Sequence, residues 1–158
     1  MALQEQPVVA TEGHAPFLSY VVITPVRDEA EFIEKTLRSV TTQTVRPAEW
    51  IIVDDGSTDE TPHIVARYTA RYPWIRQIDR QDRGYRQRGP GVVDAFYEGF
   101  DHITCADYDV VVKLDGDLSF ESDYFEDLLK QFETNPKLGI ASGQPYVFDG
   151  RKWVTEKP

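Results

Sequence analysis

The sequence predicts an α/β fold: a mostly parallel sheet with helices on both faces. Three observations predict it. Short β-branched, apolar runs alternate with segments of helical spacing in the order β-α-β-α-β-loop-α-β-α-β. Two of the runs, Trp50–Val53 and Val110–Val112 with Leu114, are apolar without alternation, as strands covered on both faces are. Each of these runs leads directly into paired carboxylates, Asp54-Asp55 and Asp115-Gly116-Asp117, and ligands of open α/β sheets bind beyond the carboxyl ends of the strands.

Taken in order, residues 1–18 mix Pro, Gly, Glu and Thr without periodicity and read as a flexible tail ahead of one domain over 19–158. Tyr20–Thr24 is the first strand, ended by Pro25. A helix is expected from Asp28 or Glu29, with Phe32, Ile33, Thr36, Leu37 and Val40 on its inner face. Trp50–Val53 is the second strand, and Gly56 then permits a turn into a helix with Pro62 in its first turn and Ile64, Val65, Tyr68 and Tyr72 along it. Trp74–Ile78 reads as a third strand, followed by a polar, glycine-rich loop over 80–91. The next helix, Gly91 to Cys105, is expected to turn Val92, Val93, Phe96, Tyr97, Phe100 and Ile103 to the sheet. Asp109–Leu114 is the fourth strand, and Tyr124, Phe125, Leu128, Leu129 and Phe132 form the stripe of a helix stopped by Pro136. Leu138–Ser142 and Val147–Val154 read as two further strands.

A chain of 158 residues can bury one substantial core and is too short for two full domains. No apolar run approaches the roughly 18–20 residues of a membrane crossing, and the first residues lack the basic start and apolar core of a signal peptide. One cysteine, Cys105, excludes an internal disulfide and fits a reducing compartment, so a cytoplasmic location is expected. A net charge of −10 argues against nucleic acid as a partner. Six arginines nevertheless fall between Arg71 and Arg88: a solvated loop, or a local electropositive patch carried by one or two of them, Arg86 and Arg88 foremost.

Asp115 and Asp117, separated by a residue without a Cβ, suit one hard divalent ion, Mg²⁺ or Mn²⁺, with a phosphorylated ligand supplying further oxygens. The same composition also makes turns and helix caps. Asp54 and Asp55 can hold the amides of the turn at Gly56-Ser57, and one of them can instead accept a ring N–H of a base. His14, His63 and His102 have no partner at metal-ligand spacing and read as structural or surface residues, as does Cys105. No G-x-S-x-G elbow or phosphate-binding P-loop is present, and Gly84 to Gly89 lacks the strand entry of a dinucleotide fingerprint.

These segments together resemble the nucleotide-sugar-binding part of a family 2 glycosyltransferase with a Rossmann-like GT-A fold. Val22-Ile-Thr-Pro-Val-Arg-Asp-Glu29 resembles the first-strand motif. Ile52-Val-Asp-Asp-Gly-Ser-Thr-Asp59 is similar to the second-strand motif almost letter for letter. Asp82 to Gly91 with Ala95 and Gly99 resembles the loop and helix that follow, and Leu114-Asp-Gly-Asp-Leu-Ser119 is a DxD-type motif. The resemblance covers residues 19–145. It implies an inverting, metal-dependent transfer of sugar from a UDP- or GDP-sugar to an acceptor hydroxyl or lipid phosphate; the last run is also similar to the subgroup acting on polyprenyl phosphates. It implies that Pro25 and Arg27 line the base pocket, Asp55 meets the base, Asp54 supports the turn, Arg88 lies near the diphosphate, Asp115 serves the ribose or metal, and Asp117 serves the metal. The sequence departs from the family at Val26 and Asp28, where an aromatic residue and Asn are usual. The general base and the later motifs of the family have no match, so the resemblance implies a truncated chain without the acceptor half, completed by further sequence or a partner chain. A nucleotidyltransferase and a non-catalytic nucleotide-sugar-binding module are the alternatives.

Overall fold

The computed structural model describes residues 18–82, 84 and 89–155. Four parallel strands form one sheet: β1 (Tyr20–Val26), β2 (Glu49–Asp54), β3 (Ile75–Asp79) and β4 (Val110–Lys113), in the order β3-β2-β1-β4. Helices α1 (Ile33–Thr41), α2 (Thr61–Arg71), α3 (Pro90–Asp101) and α4 (Tyr124–Thr134) connect or follow them. The chain steps outward from β1 to β3, then returns past β1 to β4. Because crossovers between parallel strands are right-handed, that reversal puts α3 on the opposite face from α1 and α2.

The two faces are unequal. On one, Tyr20, Val22, Trp50 and Ile52 pack with Ile33, Leu37 and Val40 of α1, Val65 of α2, and Phe125 and Leu129 of α4. On the other, Ile23, Ile51 and Val53 meet Ala95 of α3. The expected face of α3 is corrected in part: Phe96 and, just beyond the helix, Ile103 do pack half-buried against this cluster, but they are not what makes the closest approach. The buried residues of α3 are Gly91, Ala95 and Gly99, four apart, while Val93 and Tyr97 are 51% and 59% exposed. Volume, not hydrophobicity, decides this: a Cβ on Gly99 would lie 2.7 Å from Ile23 Cγ2 and 2.9 Å from Val53 Cγ2, so only the small residues let the helix reach the sheet.

Several boundaries also move. β1 runs through Pro25 to Val26, and α1 starts at Ile33, because residues 27–32 form turns rather than a first helical turn. α3 ends at Asp101, short of Cys105. Leu138–Ser142 is not a strand: among the described residues it pairs with no other strand, the Leu138 amide turns back to the Asn135 carbonyl, and Ile140 is 88% exposed. The last expected strand is instead an antiparallel hairpin, β5 (Tyr146–Phe148) with β6 (Trp153–Thr155). It turns at Gly150, whose φ is 94°, and the Asp149 carboxylate accepts the amides of Arg151 and Lys152. Of the expected tail only Leu18 is described, and its N–H donates to Glu133.

At the amino end of the sheet a buried carboxylate ties the layers. Glu49 accepts Arg76, the Thr104 amide and hydroxyl, and the Cys105 amide, at 2.7–3.0 Å. Burial pushes its carboxyl up, but the Cys105 amide, Arg76 and Thr104 together outweigh that and hold it below its ordinary value. Asp59 is lowered in the same way by Thr61 and the Ala30 amide against the effect of burial. A carboxyl lowered by folding adds stability that is complete above its unfolded pKa and is lost as pH falls through the folded value.

Stability is therefore expected to decline as pH falls through and below the ordinary carboxylate range, about pH 4. Glu49→Gln should cost about 1–3 kcal/mol at neutral pH and make that decline shallower, both read by denaturant unfolding; an unchanged acid-side slope removes Glu49 from this account. Gly99→Val should lower stability by about 2 kcal/mol or more, whereas Tyr97→Ala on the outer face should stay within about 0.5 kcal/mol. Equal losses in these two variants would contradict the observed orientation of α3.

Candidate functional site

The site begins where β1 and β4 part. Leu114 N–H donates to the Ile23 carbonyl, and Asp55 N–H to that of Val26. Alternation therefore points Pro25 toward β4. Proline has no N–H to give, and the two strands separate. A cleft of about 430 Å³ opens at their carboxyl ends, at the point where strand order reverses. Among the described residues it is lined by Pro25 and Val26 at the end of β1, Arg27 and Glu29 after it, Asp55 after β2, Gly89, Gly91, Val92 and Ala95 at the start of α3, and Asp115 to Leu118 after β4.

Five of the residues singled out from sequence thus share one cleft: Pro25, Arg27, Asp55, Asp115 and Asp117. Asp54 is buried and does not line it. Its carboxylate accepts the Ser57 amide at 2.6 Å, which closes the turn, and its second oxygen has no hydrogen-bond partner among the described residues. Burial pushes the Asp54 carboxyl up, reinforced by nearby Asp79 and opposed by the Ser57 and Gly56 groups. Arg88 and Arg86 lie outside the described residues.

The rest of the Asp54–Asp59 run braces the neighbouring loop. Ser57 Oγ accepts the Asp28 amide, Asp28 accepts the Thr58 amide, Thr61 Oγ1 accepts the Glu29 amide, and Asp59 accepts the Ala30 amide, at 2.7–3.0 Å. Asp28 has φ 54°, a left-handed conformation that Asn and Asp adopt more readily than other side chains, so Asp is an apt substitute for Asn here. Gly56, at φ 77°, sits so close to Asp82 that a Cβ would lie 2.5 Å from its Cα.

Arg27 is 8% exposed and joins three loops. It donates to the Asp55 carbonyl and pairs with Asp82 at 2.7 Å, and its Nε lies 3.7 Å from Asp28. The Gly84 amide and Arg27 hold the Asp82 carboxyl below its ordinary value. Asp55 is buried and pairs with Arg80 at 2.7 Å, which also reaches Glu98 of α3. Arg80 is the arginine that sequence reading underrated. The available signal was its position one residue beyond the end of β3. The other described arginines of that run serve elsewhere: Arg76 holds Glu49, and Arg71 stacks on Tyr72.

Asp115 and Asp117 follow the carboxyl end of β4. Both are exposed at the rim of the cleft, Asp115 at 53% with Lys113 as an ion-pair partner, and only Gly116 between them is buried. Among the described residues no group of three or more His, Cys, Asp or Glu side chains gathers to hold a metal. No helix there is long and apolar enough to cross a membrane. His63 pairs with Glu60 on the surface, and His102 lies at the end of α3.

Comparison with known proteins agrees with this architecture. The family model described as glycosyl transferase family 2 matches residues 21–157. A 4,4'-diaponeurosporenoate glycosyltransferase of Staphylococcus aureus is 32% identical over 129 residues, covering 81% of this chain and 32% of the relative. The chain thus spans about a third of the length of the curated relatives it matches. The mannosyltransferase PcManGT from Pyrobaculum calidifontis, solved in complex with GDP-Man and Mn²⁺, superimposes with a TM-score of 0.64 at 26% identity, over 78% of this chain and 34% of that one. TarS 1–349 of S. aureus, solved in complex with UDP, shares the fold with a TM-score of 0.59 at 22% identity, over 74% of this chain and 32% of that one. The parallel sheet flanked by helices is that of the GT-A glycosyltransferases. A cleft at the reversal point of a GT-A sheet, matched by the family model over most of the sequence, makes this chain a member of glycosyl transferase family 2.

Proposed function

We propose that this chain forms the nucleotide-sugar donor site of an inverting, metal-dependent glycosyltransferase whose acceptor offers a hydroxyl or a lipid phosphate. The observation that carries the reading is the convergence of Pro25, Arg27, Asp55, Asp115 and Asp117 on one cleft at the carboxyl ends of the strands. Solved relatives with GDP-Man and Mn²⁺, or with UDP, support a nucleotide diphosphate as the ligand class.

In this reading Asp55 accepts a ring N–H of the base. Arg80 pairs with that carboxylate and holds it in place. Pro25 and Arg27 form the adjoining wall, and Arg27 is already committed to Asp55 and Asp82, so it shapes the pocket more than it meets the phosphates. Arg88, between β3 and α3 in the sequence, is assigned to the diphosphate. The start of α3 reaches the cleft through Gly89 and Gly91, where amide dipoles favour an anion.

The donor set fits Mg²⁺ or Mn²⁺ held by few protein ligands. Asp115 and Asp117 are two hard carboxylates that both line the cleft and are accessible to water, leaving other coordination sites for diphosphate oxygens. Such an ion, when bound, offsets the charge that grows on the departing nucleoside diphosphate. Asp117 and Asp115 would hold that ion beside the diphosphate. The attacking base is not assigned to any residue of this chain.

Calorimetry with UDP and GDP, each with and without Mn²⁺, tests these roles. Asp117→Ala should reduce the affinity in Mn²⁺ to the metal-free value, and an undiminished gain from Mn²⁺ would overturn the metal assignment. Asp55→Ala should weaken the preferred nucleotide about tenfold or more even without metal, the worth of a hydrogen bond to a charged group. Equal affinity in that variant would remove the base-reading role.

A further inference from the structure

The acidic turn after β4 is gripped from beneath by α1. Thr36 is fully buried, and its hydroxyl lies 2.8 Å from the Gly116 carbonyl and 2.7 Å from that of Leu118. Threonine hydroxyls in helices commonly bond back to a carbonyl one turn earlier, and Thr41 and Thr42 do so, to Leu37 and Arg38. Thr36 instead directs its single proton to two carbonyls at the far end of the domain's sequence. Gly116 is wedged on its other side: a Cβ there would lie 2.8 Å from Val26 Cγ1 and 3.4 Å from Ile33 Cδ1. The turn therefore has β1 and α1 packed against its backbone and Thr36 holding its carbonyls.

The grip continues along the helix. Ser39 Oγ accepts the Phe120 amide at 3.2 Å, and Gln43 donates to the Glu121 carbonyl at 2.7 Å and accepts the Phe125 amide at 3.0 Å. Thr36 and Ser39 stand three residues apart on one side of α1, and Gln43 follows four residues on, just past its end. Of these three, Thr36 is the one whose hydrogen bonds reach the segment that carries the cleft carboxylates.

We propose that Thr36 is a positioning residue of the donor site: its hydroxyl fixes the Asp115-Gly116-Asp117 turn so that both carboxylates face the cleft, and metal-dependent binding of a nucleoside diphosphate depends on it. The proposal rests on the donor-site reading and adds a residue that does not itself line the cleft. Asp115 and Asp117 are exposed, with Lys113 the ion-pair partner of Asp115, so the point from which both side chains reach the cleft is set by the backbone that Thr36 holds.

Thr36→Val keeps the shape and removes the donor, Thr36→Ser keeps the donor, and Thr36→Ala is a second donor-less variant should valine disturb folding. In the unliganded chain, hydrogen exchange of the Asp115–Phe120 amides should quicken about fivefold in the donor-less variants and return in Thr36→Ser, the scale of one hydrogen bond. The gain in UDP or GDP affinity on adding Mn²⁺ should shrink about fivefold in the same variants, with metal-free affinity unchanged and serine restoring the gain. Unchanged exchange, an unchanged Mn²⁺ gain, or an equal loss of metal-free affinity would each overturn the proposal. If the wild-type chain gains nothing from Mn²⁺ with either nucleotide, the donor-site reading falls, and the exchange rates alone decide whether Thr36 holds the turn.

Discussion

The structure depends on one missing hydrogen-bond donor. β1 is the central strand, paired on both sides from Tyr20 to Ile23, and β2 stays with it to Val26. On the β4 side the pairing stops because Pro25 has no N–H to offer after Leu114. The sheet parts there, at the position where right-handed crossovers have reversed the strand order. Everything that lines the cleft does so because it lies just beyond that parting.

Around the opening, polar contacts do what packing cannot. The turns after β1 and β2 are too short and polar to be held by apolar burial. They are held by side-chain caps on each other's amides, from Ser57, Asp59 and Thr61 in one direction and from Asp28 in the other. Arg27 joins the same lattice to the loop after β3 through Asp82. A buried cation is costly unless paired, so the position of Arg27 constrains all three loops at once.

Much of this was legible in the sequence. Continuous apolar runs located β1, β2 and β4; β1 and β2 are covered on both faces, whereas the edge strand β4 is only half-buried despite its valines. The carboxylates after β2 and β4 marked the cleft, because their strands end on the same side of a parallel sheet. Other features were not legible. The inner face of α3 was read only in part, with Phe96 placed rightly and Gly91, Ala95 and Gly99 missed, because the spacing of large apolar residues carries no information about how close the helix must come to Ile23 and Val53. Leu138–Ser142 has strand composition, yet a strand also needs a partner edge, and composition cannot show that none is engaged.

By itself, the sequence determined the class of fold, the order of its elements and the chemistry gathered at the strand ends, because hydrophobic period and turn residues act locally. The tertiary structure alone decided which charges are spent on the scaffold and which face the cleft. Asp54 closes a turn while Asp55 lines the opening, and Arg76 braces the far end of the sheet while Arg80 holds Asp55. Adjacent or similar residues part in this way because pairing depends on distances between segments that are remote along the chain, and only the packed sheet sets those distances.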